Sequence, residues 1–324
     1  MERRIAVSVG DPSGIGPEIL LKALGSSLAG ARVSLFAPRE LFARFGRTLR
    51  LPLPADVTWR DDGLEGIELE ALAFGTPSPE AARFQLWSLQ AAVAALRAGE
   101  FEALVTAPIT KAAIAGAGFA FPGHTEYLAH SFGARRVAMM LAGPKLRVVP
   151  LTGHLPLAAV PAALTVPLVV ETLCLTAEAL AGPFRVSQPF KVALTGLNPH
   201  AGEGGLLGEE EQRVLTPALV EARAELARRG VEALLEGPLP ADGLFSRGVE
   251  AYSAVVCCYH DQALIPVKMR HPDTAVNVTL GLPIVRTSPA HGSALDIAGK
   301  GVAREQSIRA ALELAVELAA SRAG

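Results

Sequence analysis

The chain has 324 residues, half of them hydrophobic but only 5% aromatic, and a net charge of −2. That length and composition allow an aliphatic core large enough for two lobes. The balanced charge, without any basic block, argues against nucleic acid as a partner. Three cysteines, two of them adjacent at Cys257 and Cys258, cannot build a disulfide framework, and the run Ile5–Val9 is too short for a signal h-region; both fit a cytoplasmic protein. The most apolar window, residues 164–182, carries Glu171 and Glu178, so it reads as a buried helix and not as a membrane span.

RIAVSVG (4–10) reads as a first strand running into DPSGIGPEILLKAL, where Gly10, Gly14, Gly16 and Pro17 make a tight strand–turn–helix unit. The turn is either a ligand contact near a helix N-terminus or an ordinary βα connection. It is not G-x-G-x-x-G, so it is no dinucleotide fingerprint. RVSLFA (32–37) predicts a second strand, and the Pro- and Gly-rich stretch 47–79 predicts loop. Pro79–Arg97 carries apolar residues at helical spacing. A strand over 103–105 leads through a polar turn into a helix starting near Thr110, which sets Thr106 and Lys111 where an anion can meet a helix end.

In FPGHTEYLAHSFG, Thr125 predicts a helix cap with His124 at the helix mouth, and His130 reads as a structural histidine. Two strands, 136–143 and 145–152, predict a hairpin across Gly143 and Pro144 and deliver His154 beyond the second. After a helix over 166–180, the strand FKVALT delivers His200 in a Gly-rich loop with Glu203. Residues 208–229 predict an amphipathic helix and 237–245 a loop. AVVCCYH delivers His260, and a helix over 303–321 follows.

His154, His200 and His260 share one context: an apolar strand, a histidine, a turn. Singly, each is more readily a loop histidine, but ends of parallel strands converge on one crevice. Imidazoles suit Zn, Co, Ni or Fe, and three of them with an open position are the arrangement of a catalytic metal. Lys268, Asn277 and Arg286 lie among apolar runs. There a Lys and an Arg hold a phosphate or carboxylate, Arg through paired bonds; the alternative is plain surface charge.

The blocks GDPSGIGPE, VTAPITK, PGHTEYLA, LTGH, GLNPHAGEGG, YHDQALIPVK and VTLGLPIVRTS occur in this order over nearly the whole chain. Together they resemble the 4-hydroxythreonine-4-phosphate dehydrogenase family of pyridoxal phosphate biosynthesis, and HGSALDIAGKG resembles the cofactor loop of isopropylmalate dehydrogenases. The resemblance implies a two-lobed α/β/α sandwich like the isopropylmalate dehydrogenase fold, with the active site in the cleft between lobes. Lobe A would comprise about 1–125 plus 287–324, and lobe B about 126–286. Metal ligation falls to His154, His200 and His260. Substrate binding falls to His124, Thr125, Lys268, Asn277 and Arg286, with His124 and Lys268 the candidates for a direct catalytic part. NAD or NADP falls to His291, Gly292, Ser293 and Asp296.

The implied reaction is metal-dependent oxidation of 4-phosphooxy-threonine to a 2-amino-3-oxo acid, which decarboxylates to 3-amino-2-oxopropyl phosphate. The implied metal is Zn, alternatively Co, Mg or Mn. The implied assembly is a homodimer with a shared site, His154 and His200 from one subunit and His260 from the other, with no nucleic acid or membrane partner. Three departures stand out: Ala263 where Gly is usual after YHDQ, HPDTA (271–275) for a Gly-rich turn, and Ala290 where an acidic residue precedes HG. The second keeps open another phosphorylated four-carbon acid, threonate or erythronate 4-phosphate, as substrate. A phosphate acyltransferase would share the two-lobed fold but has no use for three histidines, and a non-catalytic metal-binding protein would reduce no nicotinamide.

Overall fold

The structure, a computed structural model, describes residues 2–322. Its first part runs β1 (Arg3–Ser8), α1 (Gly16–Ala23), β2 (Ala31–Phe36), α2 (Arg39–Leu49), β3 (Val57–Arg60), α3 (Pro79–Arg97), β4 (Ala103–Thr106), α4 (Lys111–Gly116) and α5 (His124–Ser131). Next come β5 (Ala138–Ala142), β6 (Arg147–Thr152), α6 (Val160–Ala163), α7 (Val166–Ala181), β7 (Phe190–Thr195), α8 (Thr216–Arg228) and β8 (Ala233–Leu239). Then α9 (Ala241–Arg247), β9 (Ala254–Tyr259), α10 (His260–Arg270), β10 (Val276–Leu280), β11 (Val285–Pro289) and α11 (Gln306–Arg322) follow.

These elements form two compact units, residues 1–134 with 282–324, and residues 135–281. In the first unit the strands lie in the order β3-β2-β1-β4-β11, every pair parallel. Ile5, Ala6 and Val7 of β1 and Leu104 and Val105 of β4 are wholly buried, as parallel strands covered on both faces require. α3 opens at Pro79 behind Ser78, whose Oγ accepts from Ala81 N, a side-chain cap for an otherwise unpaired donor. It buries Phe84, Leu89 and Leu96, and α11 buries Ile308, Leu312 and Ala315. The sequence predicts a lobe boundary at 286; the observed one falls before Leu282. The reason is strand pairing, because β11 aligns with β4 and sets Arg286 opposite Leu104.

In the second unit the order is β10-β5-β6-β9-β7-β8. β5 is antiparallel to both neighbours, whereas the successive pairs among β6, β9, β7 and β8 are parallel. The predicted hairpin forms, Gly143 N donating to Leu146 O at 2.8 Å. His271, first residue of HPDTA, is buried against it: a Cβ on Gly143 would meet His271 Cδ2 at 2.2 Å, and Lys145 N donates to His271 Nε2 at 3.3 Å. This departure therefore braces the β5–β6 turn. α7 buries Val169, Leu173, Ala177 and Leu180, and no single helix among the described residues is long and apolar enough to cross a membrane.

Candidate functional site

In the second unit β6, β9 and β7 lie side by side and parallel, so their C-terminal ends share one edge, where such sheets bind ligands. Thr152 is in register with Tyr259, which brings the rings of His154 and His260, just beyond the two strands, to a centroid distance of 5.4 Å. His260 Nδ1 shares a 2.6 Å hydrogen bond with Asp261 Oδ1, so Nε2 is its available donor atom. His154 (φ 43°) and His200 (φ 53°) both adopt the left-handed conformation, His200 opening a left-handed run through Gly204. For residues with a Cβ each such conformation costs about 1–2 kcal/mol and persists where its surroundings hold it. Among the described residues no three His, Cys, Asp or Glu side chains converge as a metal-binding group; the single chain pairs two imidazoles.

Lys268 departs from expectation. It is exposed on the last turn of α10, not set among buried strands. The apolar neighbours that suggested burial lie on another face, because the helix buries Ala263, Leu264 and Val267 while Ile265, Lys268 and Met269 face solvent. Ala263, the first departure, is thus a core residue. Asn277 sits on β10 opposite Leu141, half-buried, with its Oδ1 enclosed and without a partner.

In the first unit Arg286 is 3% exposed, and its guanidinium donates to Thr106 Oγ1 at 2.7 Å. Burial pushes it down to about 10, against the opposing charge of Glu126, so it remains a cation at neutral pH. His124 begins α5. The cap is Gly123, not Thr125, which lies one residue inside the helix. His130 is exposed against the Phe121 ring, at 5.2 Å, and not a buried structural histidine. His124 Nε2 is enclosed and has no partner. Burial, then the charges of Arg286 and Lys111, hold its imidazole well below the ordinary histidine range.

That depression has a sign. The unfolded chain takes up a proton near the ordinary value of 6.5, while the folded chain resists it, so acid favours unfolding. The stability tied to a neutral His124 is complete above that value and drains away as pH falls below it. In His124→Asn the acid limb of unfolding free energy against pH should be shallower than in wild type, measured by urea titration at a series of pH values. An unchanged limb would mean the imidazole titrates normally.

The turn after β1 turns out to be a seat for the loop after β11. Asp11 is 1% exposed, its Oδ1 accepting from Ser13 N and its Oδ2 from Thr110 Oγ1. Thr110 Oγ1 also meets Ser293 Oγ at 2.9 Å, and Ile15 N donates to Ser293 O at 2.9 Å. Gly14 is glycine for a packing reason: a Cβ there would lie 2.6 Å from Ser293 O. Farther along, buried Glu18 accepts from Ala303 N at 2.8 Å. His291, Gly292 and Asp296 remain exposed and Ser293 half-buried. Nothing in the sequence alone marks Asp11, Glu18 and Glu126 beyond an acidic residue inside a Gly-rich or apolar run.

The family model described as pyridoxal phosphate biosynthetic protein PdxA matches residues 41–315. A protein named 4-hydroxythreonine-4-phosphate dehydrogenase from Erythrobacter litoralis is 46% identical over 99% of this chain and 98% of its own. A crystal structure named for the same enzyme, from Klebsiella pneumoniae, superimposes with a TM-score of 0.83 at 34% identity, covering 98% of each chain. A terephthalate 1,2-cis-dihydrodiol dehydrogenase from Burkholderia xenovorans gives 0.67 at 30% identity, again over 98% of each chain. With the histidine-bearing strand ends and the neighbouring Arg286 charge and His124 imidazole already in place, these similarities settle the lineage: the chain belongs to the PdxA family of pyridoxal phosphate biosynthetic proteins.

Proposed function

We propose that the chain oxidises 4-phosphooxy-L-threonine with NAD or NADP to a 2-amino-3-oxo acid, which loses carbon dioxide to give 3-amino-2-oxopropyl phosphate, in pyridoxal 5'-phosphate biosynthesis in the cytoplasm. The names of its full-length relatives support the substrate. The observation that carries the reading is His124 Nε2, enclosed and without a partner, beside the buried Arg286 cation. A buried polar atom left so costs about 1–3 kcal/mol, which a bound polar ligand offsets. Arg286, steadied by Thr106, neutralises an anionic end of the substrate. His124, neutral at physiological pH, holds or takes a single proton at Nε2. Asn277 Oδ1 accepts from the substrate's ammonium or hydroxyl.

His154, His200 and His260 would hold a divalent metal, zinc foremost. The imidazole donor set, the close pair His154 and His260 and the left-handed backbone at His154 and His200 fit that group. His291, Gly292, Ser293 and Asp296 would hold the adenosine end of the nicotinamide, and the open space around Gly292 fits it. When bound, the metal would supply a lowered pKa for the substrate hydroxyl, and the nicotinamide would supply the acceptor for its hydride. Lys268, exposed on α10, retains at most a role in attracting the anionic substrate.

A second copy of the chain is proposed to complete the metal group. Leu155 and Leu157 follow His154, Leu206 and Leu207 follow the His200 loop, and Ile265 and Met269 follow His260; all six are exposed, Leu206 by 83% and Met269 by 80%. Large apolar side chains beside every histidine call for a covering surface. Because His154 and His260 pair within one chain, His200 is the ligand a second copy would add, in place of the implied split that set His260 apart. His200→Ala and His260→Ala, unfolded and refolded together in equal amounts, should regain roughly a quarter of wild-type activity if those two ligands of a site come from different subunits. No recovery, with mixed dimers demonstrated by mass, would assign both to one chain.

Oxidation of a different acid is kept open by one feature, HPDTA, whose His271 is buried against the β5–β6 turn ahead of Asn277. The experiment is a panel of 4-phosphooxy-L-threonine, threonate 4-phosphate, erythronate 4-phosphate and unphosphorylated 4-hydroxythreonine, each with NAD and NADP, before and after chelation. The first substrate, with metal, should give the highest kcat/KM. A higher value for either sugar-acid phosphate would transfer the assignment to it, and no nicotinamide reduction with any of them would return the question to acyl transfer.

A further inference from the structure

We infer that Glu211 is the positioning residue that holds His200 in its ligating place. The inference rests on His200 being a metal donor. Five successive residues, His200 to Gly204, have φ values of 53°, 51°, 78°, 43° and 68°. Three of them, His200, Ala201 and Glu203, carry a Cβ, and a left-handed run of that kind persists only when its surroundings over-determine it. The loop's own composition supplies flexibility, not hold: Gly202, Gly204 and Gly205 lie within it, and His200 itself is exposed.

The hold comes from a carboxylate placed inside the loop. Glu211 is 3% exposed and begins a π-helical turn, Glu211–Leu215, that leads into α8; such turns recur at functional sites. Its Oε1 accepts from Leu197 N and Asn198 N, both at 2.8 Å, and its Oε2 from Asn198 Nδ2 at 3.0 Å. Asn198 is gripped from a second side, Nδ2 donating to Glu210 Oε2 at 2.7 Å, a bond that keeps the Glu210 carboxyl below its usual range. Asn198 O then accepts from Ala201 N at 3.1 Å, across His200. On the far side Gly202 passes so close that a Cβ there would stand 2.7 Å from Glu211 Oε2. One carboxylate thus fixes the backbone two residues before His200 and limits it two residues after. In the sequence the adjacent glutamates Glu210 and Glu211 look like the solvated start of an amphipathic helix, and nothing local distinguishes the buried one.

The test is a double-mutant cycle on zinc affinity, read with the full-length, metal-stripped protein by competition with a chromophoric chelator. Glu211→Ala should weaken zinc roughly 10- to 100-fold, the range for residues that orient metal ligands. In a His200→Ala background the same change should cost less than about threefold, since the ligand it orients is gone. Glu211→Gln should fall between: its oxygen still accepts from Leu197 and Asn198 N–H, but its amide N–H₂ faces that of Asn198. A merely structural role would give equal losses in both backgrounds and would overturn the inference. So would unchanged affinity in Glu211→Ala while His200→Ala loses it. If His200→Ala binds zinc as wild type does, the metal reading has failed and the inference falls with it. Should Glu211→Ala not fold, Glu211→Gln carries the same cycle.

Discussion

Arg286→Ala is expected to lower kcat/KM for the phosphorylated substrate by roughly 2–4 kcal/mol, about 30- to 1,000-fold. The size follows from burial. The guanidinium is 3% exposed and tied to Thr106, so nothing replaces its charge when it is removed, and the anion it meets is left in a poorly solvated place. Arg286→Lys should recover only part of the loss, because an ammonium cannot form the paired bonds of a guanidinium. The unphosphorylated analogue discriminates the role. A much smaller loss with it assigns Arg286 to the phosphate; equal losses assign it to the carboxylate. A variant within threefold of wild type on both would remove Arg286 from the site.

Metal removal and His200→Ala should be larger still. Stabilising charge on the substrate hydroxyl is a matter of several kcal/mol, so either change should reduce turnover by about 10²- to 10⁴-fold. His200 is exposed in its loop, and its loss should leave the thermal midpoint nearly where it was. Zinc, cobalt or nickel should restore the chelated wild type but not the variant. Full activity in protein shown metal-free by elemental analysis would end the metal-dependent account.

Local pattern was enough for many elements and for the strand-end histidines. The β5–β6 hairpin, α3 and the strands β6, β7 and β9 are apolar runs bounded by Pro and Gly, and each forms where its pattern lies. The missed strands are edges of their sheets. β3 was hidden in the Pro- and Gly-rich stretch before α3, and β8 carries Gly237 and Pro238 and leads directly into α9 within a stretch that reads as loop. Edge strands need neither two apolar faces nor every ladder donor, so their sequence signal is weak. Lys268 misled for another reason. Apolar neighbours in sequence are not neighbours in space on a helix, and α10 turns Lys268 away from Leu264 and Val267. Asp11, Glu18 and Glu211 carry no sequence signal because their partners, Thr110, Ala303 and Leu197, are set by the fold and not by spacing. Within the left-handed loop even the conformation of His200 depends on partners outside it.

The most direct measurement is the stoichiometry of a single reaction: metal-loaded protein, 4-phosphooxy-L-threonine and excess NAD, followed for reduced nicotinamide and for released carbon dioxide together. The account requires both to appear, in equal amounts, with 3-amino-2-oxopropyl phosphate as the remaining product. Reduced nicotinamide without carbon dioxide would mean an oxidation that does not yield a β-keto acid. The absence of both, from protein that reduces NAD with another hydroxy acid, would contradict the assigned substrate.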